Sequence, residues 1–195
     1  MPNWCNNTLE LAHEDPAMIE RAKKAFADGR LLDEFCPVPE SLHIVAGRVG
    51  DGDEQKKLEE DTARNLAVHG YGNWYDYCVN EWGTKWDVGG NDYNEPIQET
   101  PNKITMSFDS AWAPPTTAMD KFEALGFSVR LYYYEPGMAF AGIYEDGHDD
   151  YHDLGSMTSD QVAEEIPSEL DEMFGISETI AEYEAEEAEE EDENK

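Results

Sequence analysis

Basic residues are what this sequence has least of: 13 Lys and Arg stand against 45 Asp and Glu, a formal net charge of −32 over 195 residues. Such a surface repels nucleic-acid phosphates and anionic membranes and attracts basic surfaces or cations. Direct binding to DNA is therefore excluded. Cysteine is scarce as well. Cys5, Cys36 and Cys78 are odd in number, far apart and without a C-x-x-C pair, which excludes a disulfide framework and a zinc site by spacing. Buried, reduced thiols in a cytoplasmic protein are the expectation. No run approaches about 18 consecutive apolar residues. Residues 1–15 carry Glu10, Glu14 and Asp15 and no basic start, so neither a membrane span nor a signal peptide is expected. The Walker loop, GxGxxG, HExxH and the nucleophile elbow are all missing; no catalytic residue and no cofactor are predicted.

What is there reads as one α+β domain with appendages. Cys5, Asn7, Leu9 and Leu11 alternate as the inward face of a half-buried strand. Asp15-Pro16 then offers a helix cap and a first-turn proline, Ile19, Ala22 and Phe26 recur at helical spacing, and Gly29 stands where the helix should end. Residues 30–82 read as an insertion lying on the core: a proline-stiffened segment at Phe35–Pro39, a loop at Val49–Asp53, and a polar helix over Glu54–His69 with Leu58, Thr62 and Leu66 inward. Trp74, Tyr77 and Cys78 fit one helical face, Gly83 breaks that helix, and Thr84–Val88 reads as a strand pairing with Lys103–Ser110 across a Gly/Asn/Pro-rich loop.

Pro114-Pro115 opens another helix with Met119, Phe122 and Leu125 inward. Phe127, Val129, Leu131 and Tyr133 alternate as a strand, Pro136-Gly137 marks a turn, and Met138, Phe140, Gly142 and Tyr144 alternate in a fifth strand. Beyond Gly147 follow a loop, two short acidic helices near Ser159–Ile166 and Ser168–Phe174, and a Glu/Ala tail. The order of elements matches the split β-α-β arrangement termed ferredoxin-like: an antiparallel sheet with two helices on one face. The predicted organisation is a domain over residues 1–147, an acidic helical extension over 148–176 and an acidic tail over 177–195, partly helical or disordered. The face opposite the two helices, free or covered by the insertion, is where function is expected.

The segments MPNWCNN, EFCPVP, NEWGTKWD and FDSAWAPP, in that order, resemble the YubB-type ferredoxin-like domain proteins of bacteriophages and conjugative plasmids, a group of unknown function. The resemblance spans residues 1–147. It implies that fold and a mobile-element origin, and carries over no site residues. The Glu/Ala tail and the acidity depart from it.

Three sets of residues invite a function. Trp82, Lys85, Trp86 and Asp87 with Trp112 read either as core packing of the insertion, the plainer reading for large aromatics, or as a stacking pocket for a base, sugar or peptide aromatic, rimmed by Lys85 and Asp87. His148, Asp149, His152 and Asp153 are the best metal candidates, although they fall in a polar loop without an identifiable distant ligand. Asp51-Gly52-Asp53 opens like a calcium loop, but Lys56 replaces the glycine and Thr62 the glutamate that such a loop needs.

Acidity suggests the rest. From Glu178 to Lys195 ten acids face one base, and the remaining excess reads as spread through the folded region. The leading expectation is a non-enzymatic accessory protein of a phage or plasmid that binds a basic host protein, as a nucleic-acid mimic directed at a host defence or nucleic-acid-processing system. The alternatives are a small-ligand binder or enzyme at Trp82–Asp87, or a salt-adapted virion or structural protein. Evenly spread, the charge would be about threefold more dilute than on duplex DNA, so mimicry requires the carboxylates to gather on one face.

Overall fold

The computed structural model describes residues 3–90 and 96–193. Its centre is a six-stranded antiparallel sheet in the order β2-β3-β1-β4-β5-β6, built from β1 (Trp4–Ala12), β2 (Gln98–Thr100), β3 (Lys103–Ala111), β4 (Ser128–Glu135), β5 (Phe140–Glu145) and β6 (His148–Asp153). The first strand pairs with β3 from Trp4↔Ala111 to Ala12↔Lys103 and with β4 from Asn6↔Tyr134 to Ala12↔Ser128. That register puts Leu9 and Leu11 on the same face as Ile104, Met106, Val129 and Leu131.

Two helices cover this first face. Helix α1 (Pro16–Ala27) starts as its sequence dictates: Pro16 takes the first helical position and the Asp15 carboxylate accepts from Ala17 N at 2.9 Å. Its Ile19, Ala22, Ala25 and Phe26 enter the same core as Ala118, Met119 and Phe122 of α5 (Thr116–Ala124). Burying each of the larger aliphatic or aromatic side chains contributes about 1.5–3 kcal/mol, so this layer carries much of the stability. The end of α1 is closed by the chain returning at Gly89 and Gly90. Gly90 N donates to Phe26 O at 2.8 Å, and a Cβ on Gly89 would lie 2.1 Å from that oxygen, so only glycine fits.

The insertion packs on this helical side. Short α2 (Leu31–Phe35), absent from the sequence reading, buries Leu31, Leu32 and Phe35. Helix α3 (Asp53–His69) ends at Gly70, in the left-handed conformation. Its inward line differs from the expected one. Leu66 is exposed, and the buried residue is Asn65, whose amide donates to Ser41 O at 2.8 Å and Gly72 O at 3.3 Å. A polar side chain here holds two loop carbonyls that an apolar one would leave unpaired. Helix α4 (Trp74–Glu81) presents Trp74, Tyr77 and Cys78 to the core as expected.

Four further expectations are corrected. Thr84–Val88 forms no strand; the edge partner of β3 is the three-residue β2, in register Gln98↔Thr105 to Thr100↔Lys103. Leu125 and Met138 are exposed, the first because it follows the last turn of α5, the second because it lies in the β4–β5 turn. His148–Asp153 is not a loop but strand β6, paired with β5 from Phe140↔Asp153 to Glu145↔His148, so the sheet continues past residue 147. Much of the Gly/Asn/Pro-rich connection, residues 91–95, lies outside the described residues.

The second face of the sheet is covered in part, and not by the insertion. Helices α6 (Ser159–Glu165), α7 (Ser168–Phe174) and α8 (Ile176–Glu193) pack Val162, Ile166, Leu170 and Ile176 against Tyr132, Ala141 and Ile143 of β4 and β5. A reciprocal capping box at Thr158 and Gln161 begins α6. Arg130 of β4 ties this layer down by pairing with Glu169. The Glu/Ala tail is thus helical over its described length, anchored at its start by Ile176 and Ile180. No helix among the described residues is long and apolar enough to cross a membrane.

Candidate functional site

The aromatic set divides into a core residue, a cap and an exposed patch. Trp82 is 3% exposed and its indole N–H donates to Cys36 O at 2.8 Å. It is core. Asp87 turns inward: its carboxylate accepts from Leu32 N at 2.7 Å, Asp33 N at 2.9 Å and Val88 N at 2.8 Å. It thereby satisfies the open end of α2. Burial pushes the Asp87 carboxyl above the usual carboxylate range, against the pull of those three N–H groups. Asp87 nevertheless lines the cleft described below beside Trp86, whereas Lys85 does not, so the two form no common rim.

Lys85, Trp86 and Trp112 do come together. The Lys85 ammonium lies 4.5 Å from the Trp86 ring centroid, 4.9 Å from that of Trp112 and 5.7 Å from that of Tyr75. Trp4 joins the group at 6.1 Å from Trp86. Three of these rings stay in contact with water: Trp4, Trp86 and Trp112 are 45%, 40% and 42% exposed. Trp112 holds its place with φ of +70°, a conformation that costs a bulky residue about 1–3 kcal/mol. Its N–H is fixed to Asn3 O at 2.9 Å.

Beside this patch, on the uncovered part of the second face, lies a cleft of about 590 Å³. Its floor is the polar outer row of β1 and β3, where Asn6 Nδ2 donates to Asp109 Oδ1 at 2.8 Å and the Thr8 and Ser107 hydroxyls meet at 3.1 Å. Trp4 and Trp86 bound one side; Met173 and Phe174 from the end of α7 bound the other. Phe174 is held against Tyr134 at 6.0 Å. No motif marks Trp4, Asn6, Thr8, Ser107, Asp109, Met173 and Phe174 in the sequence; the one signal is the alternation that sends Cys5, Asn7 and Leu9 inward and leaves Trp4, Asn6 and Thr8 on the other face.

The cysteines contribute no thiolate to the cleft. All three cysteines are buried, and burial pushes the Cys5 and Cys78 thiols up to about 12, so neither ionises near neutrality. The proposed metal set lies on edge strand β6. There the Asp149 carboxylate accepts from Tyr133 Oη at 2.6 Å, and His152 Nε2 lies 3.4 Å from Asp150 Oδ2. Tyr133 reaches Asp149 across Gly142, where a Cβ would meet its hydroxyl at 2.2 Å. Among the described residues no three His, Cys, Asp or Glu side chains converge to hold a metal ion. Exposed His148, Asp149 and Asp153, with half-buried His152, therefore form a charged sheet edge, a feature that discourages edge-to-edge pairing between copies. Asp53, from the supposed calcium loop, opens α3.

Charge is distributed unevenly. Residues 131–194 contain 22 of the 45 acids and no Lys or Arg, so about two thirds of the net charge comes from this third of the chain. In space the described part of that stretch, residues 131–193, is the end of β4, β5, β6 and α6–α8, one flank of the molecule, and it borders the cleft through Met173 and Phe174. The even spread expected from the sequence is not found.

No protein-family model and no curated protein matches the chain. Among solved structures, the crystal structure of the protein api92 from Yersinia pseudotuberculosis, assigned to the family model DUF1281, aligns with 80% of this chain and 99% of its own at 14% identity, with a TM-score of 0.41. A likeness of that size leaves fold and function to be argued from the chain itself.

Proposed function

We propose that this chain is a non-enzymatic accessory protein that binds a basic host protein, and that its acidic flank imitates the charge of a nucleic acid. The observation that carries the reading is the polarisation: 22 acids and no Lys or Arg in residues 131–193, folded as one flank. Helix α8 supports it quantitatively. Six carboxylates lie between Glu178 and Glu189; at 1.5 Å per residue that is one charge every ~3 Å of axis, against ~1.7 Å for duplex DNA. An even, salt-adapted coat would not favour one flank, which makes a salt-adapted virion or structural role the weaker account. The split β-α-β frame is the finer reading of the α+β fold. It is supported by the strand order β2-β3-β1-β4 with α1 and α5 on one face, to which β5 and β6 add an edge. A phage or plasmid origin and a cytoplasmic site of action in the host belong to the same proposal, and rest on the four motifs that resemble the YubB-type proteins.

The test is capture from bacterial host lysate with the chain as bait, at 50 and 150 mM NaCl. A basic partner retained at the lower salt and weakened at the higher is expected, since charge-dominated contacts are screened. Absence of any salt-sensitive basic partner contradicts the proposal. A small-ligand site is the second reading, favoured by a cleft within the volume range of ligand pockets. Saturable tryptophan fluorescence changes with a nucleotide or metabolite would promote it.

A further inference from the structure

We infer that the cleft on the second face is the seat of an extended, arginine-bearing segment of the partner, with a guanidinium placed between Asp109 and the Trp4–Trp86 wall. This rests on the reading that the partner is a basic protein and adds where, and by what chemistry, it is anchored.

The floor selects an extended segment. It is the β1–β3 pair, bounded by Phe174 against Tyr134 of β4 on one side and by Trp86 against Trp4 of β1 on the other. A floor of two paired strands is an extended surface whose row of polar side chains an extended chain can follow residue by residue. The volume of about 590 Å³ is room for several side chains rather than one small group.

Chemistry selects arginine. Asp109 is exposed, and the Asn6 amide fixes its Oδ1. Its Oδ2 accepts no hydrogen bond from any described residue, so the carboxylate is oriented and open to a donor. A guanidinium satisfies it with paired N–H donors and at the same time lays a flat cationic plane on the Trp4 indole, which Trp86 backs and which Lys85 does not cover. An ammonium does the first less well and lacks the plane. The Thr8 and Ser107 hydroxyls on the floor accept remaining donors. The charge of the bordering flank excludes an anionic occupant.

Fluorescence anisotropy with a labelled hexapeptide of alternating glycine and arginine, against its glycine–lysine counterpart of equal charge, tests this at 50 and 150 mM NaCl. The inference predicts that the arginine peptide binds the intact chain at least about fivefold more tightly, and that Trp86→Ala or Asp109→Asn removes the difference. Asp109→Asn retains an acceptor for Asn6, so folding is preserved; Trp4→Ala provides a second wall variant. Equal binding of the two peptides, or a preference that survives both substitutions, overturns the arginine seat while leaving the basic-partner reading intact. No binding of either peptide at 50 mM NaCl overturns both.

Discussion

Replacing Trp82 by alanine separates the core aromatic from the exposed ones and does so with a calculable difference. Trp82 is 3% exposed and its indole N–H donates to Cys36 O. Truncating a buried tryptophan or phenylalanine to alanine costs about 3–5 kcal/mol through lost transfer energy and the cavity left behind. The stranded Cys36 carbonyl adds about 1–3 kcal/mol where water cannot reach it. A total of about 4 kcal/mol or more is a large part of the 5–15 kcal/mol typical of a domain. Trp86→Ala, by contrast, removes a ring that is 40% exposed and a Lys85 contact worth about 0.5–1 kcal/mol. Urea unfolding, followed by far-ultraviolet circular dichroism because the substitutions alter fluorescence, gives both values. A cost below about 1 kcal/mol for Trp82→Ala, or a cost for Trp86→Ala as large as that for Trp82→Ala, refutes the division into a core ring and an exposed one.

Two further outcomes are expected. Trp112→Gly should be more stable than Trp112→Ala by about 1 kcal/mol, since glycine alone is unstrained at φ of +70°; equal denaturation midpoints would remove the claim of stored strain. Glu34 is held below its ordinary value of 4.5, first by hydrogen bonding from Arg21 and also by Arg30. Its folded state therefore binds fewer protons than the unfolded one, and its contribution is present above about 4.5 and lost as pH falls through the folded value. Glu34→Gln should accordingly be destabilised relative to the parent at pH 7 and match it once the pH is low enough to protonate Glu34 in the folded chain; a gap that persists there contradicts the ion pair as its source.

Period and punctuation made the sheet and its two helices legible. Leu9/Leu11, Val129/Leu131 and the Asp15-Pro16 start spoke in local patterns that tertiary packing then respected. Thr84–Val88 misled because β-branched and aromatic residues also suit a segment whose carboxylate caps another helix, and only the fold brings Asp87 to Leu32 and Asp33. His148–Asp153 was missed because an edge strand of Asp and His has no apolar alternation to read. The site was half legible. Lys85, Trp86 and Trp112 could be suspected from composition. Asp109 and Phe174, 65 positions apart, share the cleft only because α7 packs back across β4 and β5. The polarised charge was present in the sequence, but it becomes a surface property only once residues 131–193 are known to occupy one flank.

Two charge variants of equal total charge test the central claim most directly. In one, Glu164, Glu165, Glu172, Glu182 and Glu186 of the C-terminal helices become glutamine; in the other, Glu14, Glu20, Glu40, Glu54 and Glu60 of the opposite half do. None of these carboxylates makes an ion pair or accepts a hydrogen bond among the described residues. Captured basic proteins are then quantified by mass spectrometry at 150 mM NaCl. The account predicts that the C-terminal variant loses about tenfold in captured partner while the other stays within about twofold of the parent, because recognition follows the local field and not the total. Equal losses from the two variants, or none from either, would contradict it.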